Sequence, residues 1–122
     1  MNIEEVHAYC LSFPNVTDEF PFDEVTLVFK VNGKMFLALS LEESDERFVL
    51  VKCAPEQAIE LRERYAAVQP GYYMNKKHWN SLYLERDMSD TEIRRWIRHS
   101  YRKVVEGLPK REREQLLEMV KE

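Results

Sequence analysis

The segment Pro70-Gly71-Tyr72-Tyr73-Met74-Asn75-Lys76-Lys77-His78-Trp79-Asn80 gathers turn residues, two lysines, an imidazole and three aromatic rings in one short stretch. Aromatic faces stack on bases or clasp apolar groups, while lysines neutralise phosphates or carboxylates, so the mixture suits contact with an anionic or partly apolar ligand. The plainer use is architectural: Tyr72, Tyr73 and Trp79 wedge into a core at the entry to a strand, and Lys76 and Lys77 solvate the turn. A second basic element follows, with Arg94, Arg98 and Arg102 at i, i+4 and i+8, Arg95 and Lys103 beside them, and no acid between Glu92 and Glu106. Such a helix face either attracts an anion or meets acids from elsewhere in the chain. The run Glu42, Glu43, Asp45 and Glu46 offers such acids, although exposed pairs contribute less than ~1 kcal/mol each.

Signatures of catalysis are missing. The chain has no G-x-S-x-G elbow, no glycine-rich phosphate cradle, no H-E-x-x-H and no C-x-x-C, which removes the common hydrolase, nucleotide and zinc patterns. Cys53 and His78 form a thiol–imidazole pair only if the fold brings them within hydrogen-bond reach and the thiol is activated. His7 and His99 stand at no metal-like spacing from other ligands. The expectation is a domain with no catalytic residue, no metal and no cofactor.

Positioning these residues requires a folded frame, and its elements are readable. Asn2 followed by Glu5 forms a capping box ahead of Ile3, Val6, Cys10 and Leu11 at helical spacing. Residues 25–31 and 34–40 are rich in β-branched and aromatic types and are separated by Asn32-Gly33, which suits a tight hairpin. Residues 47–53 supply a further strand after the acidic loop. Pro55 starts a second helix carrying Ala58, Ile59, Leu61 and Tyr65. Strands follow at 67–69 and 79–84. Ser89-Asp90-Thr91-Glu92 caps a long helix with Ile93, Trp96, Ile97, Tyr101, Val104 and Leu108 on one face, and residues 113–121 make a terminal helix. The order α-β-β-β-α-β-β-α-α predicts an α+β fold, one antiparallel sheet packed by helices.

The 122 residues, 44% hydrophobic and 33% charged, fit one domain spanning 1–122. Two cysteines and three glycines argue against disulfide scaffolds and collagen, and the longest apolar run is far short of the ~20 residues of a membrane span. The start of the chain lacks the basic and apolar pattern of a secretory signal, which points to the cytoplasm, with Cys10 and Cys53 as reduced, buried thiols. The net charge of −4 conceals an asymmetry: residues 1–50 carry ten acids and three bases, residues 51–122 twelve acids and fifteen bases. An acidic half is joined to a basic one, and a local basic patch attracts anions whatever the total.

Several segments, in order, resemble the MmcQ/YjbR family of small bacterial proteins: Phe20-Pro21-Phe22, Val28-Phe29-Lys30-Val31 with Gly33-Lys34 and Phe36, Lys52-Cys53-x-Pro55-Glu56, Pro70-Gly71-Tyr72-x-Met74 through Asn80, and Ser100-Tyr101. Position 73 is Tyr where that pattern often places His. The resemblance implies a two-layer α+β fold like that of the frataxin CyaY or type III secretion chaperones, also described as double-wing, and a DNA-binding role. Carried over by position, it points to Lys76, Lys77, His78 and Trp79 and names no catalytic residue.

Two functional expectations follow. One is a non-enzymatic, monomeric DNA-binding domain in which Lys76, Lys77, Arg94, Arg95, Arg98 and Arg102 meet phosphates and Tyr72, His78 or Trp79 makes groove or stacking contacts. The other is a peptide- or protein-binding module anchored on Tyr72, Tyr73, Met74 and Trp79, with the arginine helix meeting an acidic partner segment.

Overall fold

Local signals fix where the helices begin. Asn2 Oδ1 accepts from the Glu5 N–H at 2.8 Å and Glu5 Oε1 accepts from the Asn2 N–H at 3.0 Å, so the capping box opens helix α1 (Ile3–Leu11). Ser89 Oγ accepts from the Glu92 N–H at 3.2 Å and starts α3 (Asp90–Glu106). The computed structural model describes residues 1–44, 46–71 and 74–120. Its remaining elements are β1 (Val16–Glu19), β2 (Thr26–Val31), β3 (Lys34–Ser40), β4 (Phe48–Lys52), α2 (Pro55–Arg64), β5 (Val68–Pro70), β6 (Trp79–Tyr83) and α4 (Lys110–Val120). The expected α+β architecture is present, with a six-stranded antiparallel sheet in the order β1-β2-β3-β4-β6-β5.

The structure adds β1 to the strands read from sequence. This edge strand is mostly exposed, and Val16 is its one apolar residue, so it lacks the alternation that marks a half-buried strand. The terminal helix begins earlier than residue 113, at Lys110, directly after Pro109. Among the described residues, no helix is long and apolar enough to cross a membrane.

Asn32 and Gly33 take positive φ, 48° and 82°, and close the β2–β3 hairpin as their types suggest. Past the turn, the register shifts between Phe29 and Lys30, so that Phe29 faces Leu37 while Lys30 faces Met35. Phe36 is the extra residue of this bulge, and it turns into the core, where it is fully buried. All four helices feed one core: Val6 and Cys10 from α1, Ala58 and Leu61 from α2, Ile93, Ile97 and Tyr101 from α3, and Leu116 and Val120 from α4. The other sheet face carries the register row Glu19, Val28, Ala38, Leu50, Ser81 and Gln69.

Helix α3 is tied to the sheet by hydrogen bonds as well as packing. Ser100 Oγ accepts from the Lys52 N–H at 2.8 Å and donates to the Phe36 carbonyl. Leu37 pairs with Val51, so Phe36 and Lys52 are the next opposed positions, and the hydroxyl stands between them where a ladder bond would otherwise lie. Tyr101 Oη donates to the Pro14 carbonyl at 2.8 Å, and its ring stacks on Phe13 at 4.7 Å. The Ser-Tyr pair therefore serves the architecture.

Candidate functional site

The backbone leading into β6 is tightly wound. The Asn75 carbonyl accepts from the N–H groups of His78 and Trp79 at 3.1 and 3.0 Å, and Asn75 Oδ1 accepts from the Lys77 N–H at 2.8 Å. Gly71 donates its N–H to the Trp79 carbonyl at 2.9 Å. A Cβ at position 71 would lie 2.8 Å from that carbonyl oxygen and 2.9 Å from Leu50 Cδ1, so close approach of two strands is what requires glycine there.

A residue that sequence reasoning passed over holds this loop down. Arg62, on α2, donates from Nε to Asn80 Oδ1 at 2.7 Å and from Nη2 to the carbonyls of Lys76 and Trp79. Asn80 is fully buried, and its Nδ2 donates to the Ala58 carbonyl at 3.1 Å. Charge-assisted bonds of this kind are stronger than neutral ones, and the guanidinium spans several acceptors at once. The signal available in sequence was positional: Arg62 follows Ala58 by one helical turn and so flanks the buried face of α2.

The expected site residues divide accordingly. Trp79 is only 8% exposed, sits on the outer sheet face opposite Lys52 and lines the same depression as Lys52 and His78. Lys76 and Lys77 are exposed and His78 is half-buried. Tyr72 and Tyr73 lie outside the described residues. On α3, Arg94 reaches Glu5 of α1 at 3.7 Å and Arg98 donates to the Val120 carbonyl of α4, which turns both toward neighbouring helices. Arg95 pairs with Glu92 at 3.7 Å and lies 5.6 Å over Trp96. Among the described residues, the acids paired with α3 cations include Glu5 of α1 and Glu92 and Glu106 of α3 itself. Glu46 of the acidic loop engages Arg86 at 3.1 Å instead, because that loop joins β3 to β4 beside the chain leaving β6, where the Leu84 N–H donates to the Arg47 carbonyl.

Between the end of β4, the loop from Asn75 to Trp79 and the last turn of α3 lies an open depression of about 510 Å³. Lys52, His78 and Lys103 bring cationic or protonatable groups to its lining, Asn75 an amide and Glu106 a carboxylate. Lys103 Nζ and Glu106 Oε1 are 3.2 Å apart. The Cys53 N–H donates to the His78 carbonyl at 2.7 Å, joining two walls. His99 Nε2 accepts from the Ala54 N–H at 3.4 Å. Burial first, then Lys103, Arg102 and Arg95, hold His99 below its ordinary range, while Glu106 opposes them. Of these cations, Lys103 reaches the lining of the depression, while Arg95 and Arg102 stand at i−4 and i+3 from His99 on the same helix face.

Burial pushes the Cys53 thiol up to about 12, with Arg62 only partly offsetting it. At neutral pH the group is a protonated thiol and lacks the thiolate a nucleophilic pair needs. Cys10 is likewise free and buried. Among the described residues, no three His, Cys, Asp or Glu side chains gather as a metal would require. What the arrangement can do is hold an anion in a concave surface by charge and hydrogen bonds.

The YjbR family model matches residues 11–103. The uncharacterized protein YbdF of Escherichia coli O157:H7 is 35% identical over 113 residues, covering 93% of this chain and 92% of its own. The uncharacterized protein YjbR of Escherichia coli K12 is 30% identical over 119 residues, 98% of this chain and 100% of its own. Among solved structures, the Deinococcus radiodurans protein DR2400, with a DUF419 domain, superposes with a TM-score of 0.86 at 31% identity, covering 94% of this chain and 87% of that one. A Pseudomonas syringae protein gives a TM-score of 0.68 at 25% identity, over 82% and 96% of the two chains. With the profile spanning most of its length and full-length relatives at this identity, the chain belongs to the YjbR family.

Proposed function

We propose that the protein is a non-enzymatic DNA-binding domain, acting as a monomer in the cytoplasm without a cofactor. Its contact surface is the tip of the 74–78 loop together with residues 95–103 of α3. Lys76 and Lys77 meet the sugar–phosphate backbone from the loop, Arg95, Arg102 and Lys103 meet it from the helix, and the depression takes one phosphate between Lys52, His78 and Lys103. Trp79 and Asn80 serve this surface indirectly, as the buried base on which the loop stands.

The observation that carries the reading is the meeting of loop and helix around one depression with Lys52, His78 and Lys103 in its lining. Phosphate contacts of this kind position a protein on nucleic acid without reading sequence, and they weaken as salt rises. The overall charge of −4 keeps the affinity modest. Glu106 opposes a phosphate directly and also occupies Lys103, so Glu106→Gln strengthens binding.

Fluorescence anisotropy with duplex and single-stranded oligonucleotides across a salt series tests the proposal. The expected result is affinity at low salt that declines steadily as salt is added, is reduced by Lys77→Glu and Lys103→Glu, and is raised by Glu106→Gln. No binding at low salt, or binding indifferent to salt and to these variants, overturns it.

A further inference from the structure

Phe20 and Phe22 are 46% and 72% exposed. The Asp23 carboxylate accepts from the N–H groups of Val25 and Thr26 at 2.9 and 2.6 Å and from Thr26 Oγ1 at 3.0 Å, and these bonds hold its acid below the usual carboxylate range. An Asx turn therefore fixes the backbone directly after Phe22. Neighbouring large apolar side chains left exposed mark a contact surface more often than scattered single ones do.

The rings follow directly after β1, which ends the sheet and has no strand on its outer side among the described residues. Its backbone N–H and C=O groups on that side are a template for another extended chain. The surroundings are acidic. Asp18 and Glu19 carry charge on the two faces of β1, within 2.9 Å of His7 and 2.5 Å of Lys30, and Glu24 is exposed beyond the turn.

We propose that the free edge of β1 and the Phe20–Phe22 turn dock an extended basic segment of another protein, which adds to the sheet as an outer strand and covers both rings. Main-chain bonds to β1 supply affinity, the two rings supply apolar contact, and Asp18, Glu19 and Glu24 select lysine or arginine over acids. A second copy pairing through its own β1 would set Asp18 and Glu19 against the same residues, and directly opposed like charges destabilise a strand pair. Nucleic acid and anionic lipid are disfavoured by the same carboxylates. The proposal is independent of DNA binding, since it concerns the acidic end of the molecule.

The test uses the full chain and a labelled peptide alternating lysine and isoleucine over about eight residues, long enough to span a four-residue edge strand and the turn. Anisotropy gives affinity and amide shifts give location. The expected result is binding with shifts centred on residues 16–26, at least about tenfold weaker in the Phe20→Ser/Phe22→Ser double variant, weakened by Glu24→Lys, and absent for a glutamate–isoleucine peptide. An unchanged melting midpoint of the double variant shows that it folds. Shifts centred elsewhere, indifference to the double variant, or equal affinity for the acidic peptide overturns the proposal. So does a concentration-dependent dimer in sedimentation that the double variant abolishes, since the occupant is then a second copy.

Discussion

Two short segments of this chain mix aromatic, charged and turn residues, and the fold treats them in opposite ways. In the stretch ending at Trp79 and Asn80, the ring is buried and the lysines point to water. In the Phe20–Glu24 turn the rings are exposed, while the Asp23 carboxylate is turned onto the backbone. Composition does not separate the two cases. What separates them is which side chain satisfies the local backbone. Arg62 reaches the first segment from a neighbouring helix and draws it onto the sheet, whereas Asp23 satisfies the second from within and leaves its neighbours facing out.

That contrast can be broken at its strongest point by Gly71→Ala, which drives a methyl into the Trp79 carbonyl and Leu50. We expect a loss of about 3 kcal/mol, read from denaturant unfolding. Arg62→Ala removes the anchor from outside the segment and leaves buried Asn80 underpaired. It should cost about 2 kcal/mol and speed amide exchange at residues 76–79, with Arg62→Lys recovering only part. A smaller effect concerns His99 beside the depression. Its folded value lies below that of the unfolded chain, so below about pH 6.5 the unfolded state binds more protons. Stability is full above that pH and falls as the medium is acidified toward the folded value, and His99→Gln flattens this part of the profile in melts across pH 5–8. The smallest effect belongs to the other segment: Phe22→Ser should change stability by no more than about 0.5 kcal/mol, because the ring leaves little water on folding.

The sequence made the frame legible wherever one local rule dominated. The capping box at Asn2, the Ser89 N-cap, the Asn32-Gly33 turn and the apolar stripe of α3 each rest on interactions within a few residues. β1 escaped notice because its partners, Val28 to Val31, supply the apolar surface and it supplies almost none. The site was readable only in part. Lys76, Lys77 and His78 were visible as types, but the role of Trp79 depends on Leu50 and Gly71 across the sheet. The fate of Arg94 and Arg98 depends on Glu5 and Val120, far away in sequence. Arg62 was hidden for the same reason, since its three acceptors lie outside its helix, in β6 and the loop before it.

The Ser100 hydroxyl, set between Lys52 and Phe36, makes the amide of Lys52 a natural reporter. That N–H can exchange with solvent only when α3 lifts from the sheet, and Lys52 also lines the depression. A ligand seated between Lys52 and Lys103 would clamp helix to strand and slow exchange at this amide, while a peptide on the distant β1 edge would leave its rate nearly unchanged. One resonance thus distinguishes occupancy at the two ends of the molecule.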